Sequence, residues 1–159
     1  MSGDSAGGTL ATVVAARCRD AGGPRLAAQV LFYPITDVSR FDSGSYCEFA
    51  ENYLLTRTTM QWFAAHYLGE AGNGNNPEAS PLLAKDLRGL PPALVITAEF
   101  DPLRDEGEAY ARRMKEAGTA VTVTRYPGMV HGFAIMLGVL EDGYTAIREA
   151  AEFVNSMGA

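Results

Sequence analysis

Gly3-Asp4-Ser5-Ala6-Gly7 sets a serine between glycines two residues before and two after, with Gly8 directly behind. The spacing suits a sharp strand-to-helix turn in which the serine takes strained backbone angles and its hydroxyl is pushed out over a sheet edge. A helix starting just behind the serine brings N–H groups and a positive dipole end to a developing oxyanion, with the Ala6 N–H as the natural donor. The chemistry would be nucleophilic attack on an acyl carbon. The same residues suit a plain Gly/Ser turn capping a helix, and the pattern alone weighs the two readings equally.

A serine nucleophile needs a base, and the chain has two histidines. His66 lies in a helical pattern beside Ala65 and Tyr67 and reads as a packed or solvent-facing helix residue. His131 follows an apolar run through Pro127-Gly128-Met129-Val130, which puts it on a loop at a strand's carboxyl end, where open α/β sheets collect their catalytic groups. An ordinary loop histidine is the competing reading. The base in turn needs a carboxylate to hold its tautomer. Glu99-Phe100-Asp101-Pro102-Leu103-Arg104-Asp105-Glu106 offers four, of which Asp101 stands two or three residues past a strand pattern. Asp101 followed by proline also reads as a helix N-cap, and Asp105 and Glu106 as first-turn acids facing the helix dipole. The order Ser5, Asp101, His131 is the Ser…acid…His order of α/β-hydrolases, and that order joins three weak signals into one stronger one.

These residues need a frame. Gln29–Tyr33, Ala93–Thr97 and Val121–Tyr126 read as strands, the first two apolar enough to be covered on both faces and the third alternating, as near an edge. Leu10, Val13 and Val14, interleaved with Ala11 and Ala15, predict a well-buried helix stopped by Gly22-Gly23-Pro24. Met60, Phe63, Ala64, Tyr67 and Leu68 make a second helical stripe with Thr56 and Thr58 as cap candidates and Gly69 behind. A charged helix is predicted over 105–117, ending at Gly118, and a last one over 141–157 with Tyr144, Ile147, Ala151 and Val154 on one face. Strands alternating with helices predict an α/β fold around a parallel sheet, and the segment 37–76 forms a long excursion of the kind that serves as a lid.

Composition closes off other classes. With 159 residues, 47% of them hydrophobic and 20% charged, the chain can bury a core without staples. Thirteen Lys+Arg against nineteen Asp+Glu leave a net charge of −6, the wrong sign for a nucleic-acid surface. Cys18 and Cys47 lie far apart and cluster with neither histidine, which predicts free thiols and no metal site. No apolar run approaches the roughly 20 residues that span a bilayer. Met1-Ser2-Gly3-Asp4 has no basic or hydrophobic leader character, so a cytoplasmic location is expected.

Taken together, Gly3-Asp4-Ser5-Ala6-Gly7-Gly8, Glu99-Phe100-Asp101-Pro102-Leu103-Arg104-Asp105-Glu106-Gly107 and His131-Gly132-Phe133 resemble the hormone-sensitive lipase family of α/β-hydrolases, in its microbial carboxylesterase branch. The resemblance runs essentially end to end, through Phe32-Tyr33-Pro34, Ser80-Pro81-Leu82 and Leu90-Pro91-Pro92-Ala93. It implies the C-terminal part of an α/β-hydrolase fold: one partial domain over 1–159, mostly parallel, with about three strands after the nucleophile elbow, flanking helices and part of a cap over 37–76. By that likeness Ser5 is the nucleophile, Asp101 the acid, His131 the base and Ala6 the oxyanion donor, cleaving short-to-medium acyl esters through an acyl-enzyme without cofactor or metal. Met60, Trp62, Phe63, Tyr67 and Phe133 are then the side chains to look to for substrate contact, although a stripe at helical spacing favours Met60, Phe63 and Tyr67 as packing of the cap helix.

Family members carry a His-Gly-Gly-Gly stretch well before the elbow that supplies oxyanion N–H groups; this sequence has none, and only Met1 and Ser2 precede Gly3. Three expectations follow. No strand leads into the elbow; Gln29–Tyr33 is an open apolar edge available to a homodimer; and ester hydrolysis is weakened, with a catalytically weak binding or interaction module as the alternative.

Overall fold

In a computed structural model that describes residues 1–42 and 44–158, strand β1 (Ser2–Asp4) turns at Ser5 into helix α1 (Ala6–Asp20), and the chain returns as β2 (Gln29–Phe32). The excursion that follows holds α2 (Gly44–Glu48), α3 (Arg57–Leu68) and a 3-10 turn at Pro81–Leu83. Strand β3 (Ala93–Phe100), helix α4 (Arg104–Glu116), strand β4 (Val121–Val130), a 3-10 turn (Phe133–Ile135) and helix α5 (Glu141–Ser156) complete the order. The four strands pair in the order β1-β2-β3-β4, every pair parallel. This is the α/β architecture that the alternation of patterns predicts.

Side-chain alternation along the strands divides the core in two. Leu31 and Val95 point to the face where Ala11 and Ala15 of α1 meet Tyr110 and Met114 of α4. Val30, Leu94 and Ile96 point to the opposite face, against Phe133 and Ala146. β4 is the far edge of the sheet, as its alternation predicts, with Thr122 and Val123 exposed.

Two expectations about the elbow need correction. A strand does lead into the elbow: Ser2, Gly3 and Asp4 pair with Val30, Leu31 and Phe32, and the Met1 ammonium donates to the Ala28 carbonyl at 2.8 Å. Pairing uses backbone only, so the motif residues themselves serve as strand. Gln29–Phe32 is therefore an inner strand rather than the edge, and among the described residues the open edge is β1, short and carrying exposed Ser2 and Asp4.

Helix α1 is not buried by its large residues. Gly8, Thr9, Ala11, Thr12 and Ala15 face the sheet, while Leu10 stays 58% exposed. The close approach of the helix decides this, since a Cβ built at Gly8 would stand 2.7 Å from the Pro34 Cβ. Helix α5 repeats the reversal: Gly143 and Ala146 are buried, with Ala150 and Phe153 packed alongside, while Tyr144, Ile147 and Val154 are exposed. At a short helix-to-sheet distance the small residues fit inside, whatever the apolar stripe suggests.

The caps follow local chemistry. The Thr56 hydroxyl accepts from Thr59 N at 3.1 Å, choosing between the two threonine candidates, and Gly69 ends α3 at φ +65°.

Candidate active site

Ser5 joins β1 to α1 at φ 51°, ψ −119°, a conformation that costs a non-glycine residue on the order of 1–3 kcal/mol and persists only where the surroundings enforce it. Ser5 N donates to the Phe32 carbonyl at 2.9 Å, and the Ser5 carbonyl accepts from Gly8 N at 3.0 Å and Ile35 N at 3.3 Å. Of the flanking glycines only Gly3 is demanded by the turn: a Cβ there would lie 2.1 Å from the Gly7 carbonyl oxygen, whereas one at Gly7 meets nothing nearer than Asp4 Oδ1 at 3.6 Å. Ala6 is the first residue of α1, so its N–H has no intrahelical acceptor, and Ala6 lines the same cavity as Ser5.

Two strand ends bring the partners. β3 runs three residues past its predicted end, so Asp101 follows it directly, and β4 delivers His131 directly after Val130. His131 Nε2 is 3.0 Å from Ser5 Oγ, and His131 Nδ1 is 2.8 Å from Asp101 Oδ2. Asp101 is fully buried, and its second oxygen accepts from Leu103 N at 2.9 Å. Asp101 is not the N-cap of α4, which is Leu103; one Asp101 oxygen closes the turn before the helix and the other faces the imidazole. His66 is elsewhere, on exposed α3, with Nδ1 at 2.8 Å from the Trp62 carbonyl oxygen.

Tyr33, which the residue pattern did not single out, supports the imidazole. It is 1% exposed, adopts φ +34°, and its ring centroid lies 4.8 Å from that of His131. Nothing local signals this, since a residue before proline is expected in the β region.

A cavity of about 550 Å³ opens onto Ser5 and His131. Ile35, Val38, Leu55 and Met60 line it, with Phe63 and Tyr67 of α3 and Leu10 of α1. Met60, Phe63 and Tyr67 therefore sit where contact with a ligand was expected. Trp62 and Phe133 do not. Trp62 points outward from α3, 55% exposed, its ring 4.0 Å from that of His66, because one residue along a helix turns a side chain about 100° away from its neighbour. Phe133 is fully buried beneath the site, 5.8 Å from the Tyr33 ring and 5.0 Å from Tyr126, as a core residue that underpins the turn after His131.

Glu106 lies in the first turn of α4, as the sequence predicts, but its side chain turns inward, where Oε1 accepts from Thr36 N at 2.6 Å and Asp37 N at 3.1 Å. A signal was available: Glu106 falls on the same helical face as Leu103, Tyr110 and Met114, all buried. Burial, opposed by those two N–H groups and reinforced by the Asp37 and Asp101 carboxylates, pushes its acid up to about 8. Since the folded value stands above the ordinary carboxyl value, Glu106 favours the fold most below the unfolded pKa, and that contribution is lost as pH rises toward 8. Glu106→Gln keeps an oxygen for both N–H groups and removes the titration. Its melting temperature is expected to match the wild type near pH 5 and to exceed it by several degrees at pH 9; parallel curves for the two proteins would refute the assignment.

Among the described residues no group of three or more His, Cys, Asp or Glu side chains is placed to hold a metal ion. No helix there is long and apolar enough to cross a membrane.

A parallel sheet with a serine on its strand-to-helix turn, hydrogen-bonded through a histidine to an aspartate in that chain order, is the arrangement of the α/β-hydrolase class. The chain belongs to the alpha/beta hydrolase fold family, whose model matches residues 1–135. It is similar to the carboxylic ester hydrolase LipN of Mycobacterium tuberculosis, 44% identical over 138 residues that make up 84% of this chain and 36% of the relative. It is likewise similar to the ethyl acetate hydrolase of Pseudomonas putida, 41% identical over 94% of this chain and 48% of the relative. A solved esterase from the archaeon Pyrobaculum calidifontis superposes with a TM-score of 0.93 at 43% identity, over 99% of this chain and 52% of that one. These relatives bear out the likeness to the microbial carboxylesterases of the hormone-sensitive lipase family. The chain spans about half the length of the solved relative and less than half of the two curated ones.

Proposed function

We propose that this chain carries the ester-cleaving centre of a carboxylesterase acting on short-to-medium acyl esters. The observation that supports it best is the unbroken relay of 3.0 Å and 2.8 Å from Ser5 through His131 to Asp101, opening on an apolar cavity. Ser5 Oγ attacks the ester carbonyl carbon while His131 Nε2 takes its proton, and the carbonyl π pair becomes the oxyanion, facing the Ala6 N–H. Asp101 holds the Nδ1 proton and stabilises the imidazolium. Collapse of the tetrahedral intermediate expels the alcohol, which receives the proton from Nε2; water, deprotonated by the same nitrogen, then hydrolyses the acyl-enzyme.

Segment 37–76 acts as cap in this reading, supplying Val38, Leu55, Met60, Phe63 and Tyr67 to the cavity wall. With Ala6 as the one backbone donor assigned and no His-Gly-Gly-Gly stretch in the sequence, turnover is slower than that of a complete site by about two to three orders of magnitude. A second reading, an interaction module or homodimer joined along the β1 edge, draws on that open strand and on the exposed Leu10 and Val14.

A p-nitrophenyl alkylphosphonate tests the assignment without relying on fast turnover. The expected result is stoichiometric p-nitrophenol release with the phosphonyl mass on the peptide that holds Ser5. An unlabelled Ser5 after exhaustive incubation overturns the proposal.

A further inference from the structure

The ladder between β3 and β4 runs in register from Ala93 opposite Val121 to Ala98 opposite Tyr126, then resumes with Phe100 opposite Val130. Across the break one residue, Glu99, faces three: Pro127, Gly128 and Met129. Pro127 has no N–H to give, and Gly128 turns at φ +74°, so the strand there loses its ordinary backbone partners. A side chain replaces them. Glu99 Oε2 accepts from Gly128 N at 2.6 Å, while the Glu99 carbonyl accepts from Arg104 Nη1 at 3.2 Å. Arg104 is itself fixed by Glu48 and Asp105, each at 2.8 Å, and by the Phe49 ring at 4.9 Å.

The location gives this clasp its consequence. Asp101 is two residues beyond Glu99, and His131 is three beyond Gly128, so the clasp joins the two chains just before the residues that form the Asp101–His131 bond. We infer that Glu99 is a positioning residue for the relay: its carboxylate, by holding Gly128 N across the bulge, sets where β4 ends and hence where His131 is presented to Ser5. The inference rests on the reading of Ser5 and His131 given above. A charge-assisted bond is roughly twice as strong as a neutral one, which suits a contact that must hold a glycine turn in one conformation. A misplacement on the order of 1 Å at a catalytic group costs up to about 10²-fold in rate.

The test compares Glu99→Ala and Glu99→Gln in the full chain. Glu99→Ala is expected to lower kcat for p-nitrophenyl butyrate by about 10- to 100-fold with KM unchanged, and to weaken the low-field Nδ1–H proton resonance of His131 in NMR spectra. Glu99→Gln, whose amide oxygen still accepts from Gly128 N, is expected to recover most of both. Unaltered kcat and resonance in Glu99→Ala overturn the proposal, as does failure of Glu99→Gln to recover them. Loss of folded signal in the circular dichroism of Glu99→Ala overturns it in favour of a purely structural role. If the wild-type chain turns over no ester, the reading of Ser5 is what fails, and the resonance still decides the clasp.

Discussion

Replacing Ser5 by alanine is expected to bring p-nitrophenyl butyrate hydrolysis down to the rate of buffer alone, a fall of about 10³-fold or more. Removing the serine of a complete triad costs about 10⁶ in kcat, and with the single oxyanion donor proposed above the span available is smaller by about 10²–10³. The side chain contributes little else. Its one side-chain hydrogen bond is to His131 Nε2, and the elbow is held by backbone bonds from Ser5 N and to the Ser5 carbonyl, which alanine preserves. Melting temperature should therefore hardly change. The measurement is steady-state release of p-nitrophenolate by wild type and variant, purified identically; equal rates would sink the esterase reading.

The other large effect is on the turn. Gly3→Ala places a methyl carbon 2.1 Å from the Gly7 carbonyl oxygen and 2.8 Å from Gly8 N, all backbone of the first turn of α1. Neither side can yield, because Gly3 is paired with Leu31 in the sheet and Gly8 lies against Pro34. Overpacking of flexible cores costs about 1–3 kcal/mol, and a clash between two rigid backbones should exceed that, at about 3 kcal/mol or more. Thermal or urea melts should show a large loss, with phosphonate labelling of Ser5 abolished. Gly7→Ala is the control: its methyl meets only Asp4 Oδ1 at 3.6 Å, and alanine favours a helix over glycine by up to about 1 kcal/mol. That variant should be neutral or slightly stabilised. A Gly3→Ala protein that melts like wild type would mean that Ser5 does not sit on the turn described.

These two glycines also show how far a motif can be read. The spacing around Ser5 announces a tight turn, but treats both neighbours alike; only the path of α1 over β1 separates an obligatory glycine from a dispensable one. Similar limits apply elsewhere. The strands over 93–97 and 121–126 are legible because buried and edge strands have different local patterns, and the cap at Thr56 because a cap is a contact between residues three apart. Leu10, Val14, Tyr144 and Ile147 mislead because periodicity identifies a face without saying what stands opposite it. Where a helix lies close on the sheet, glycine and alanine take the inner face, and large apolar residues are left on the outer one.

What the sequence by itself determined is the three residues and their order: a serine on a glycine-flanked turn, then an aspartate at one strand end, then a histidine at the next. Residue type and position along a parallel sheet suffice for that, because each carboxyl strand end delivers its successor to the same side. Tertiary structure alone decided the support beneath: Tyr33 against the imidazole, Phe133 in the core rather than the cavity, Glu106 turned inward onto Thr36 and Asp37, and Glu99 across the bulge to Gly128. Each of these depends on a partner some 29 or more residues away, and no local propensity encodes which distant N–H or ring a side chain will find.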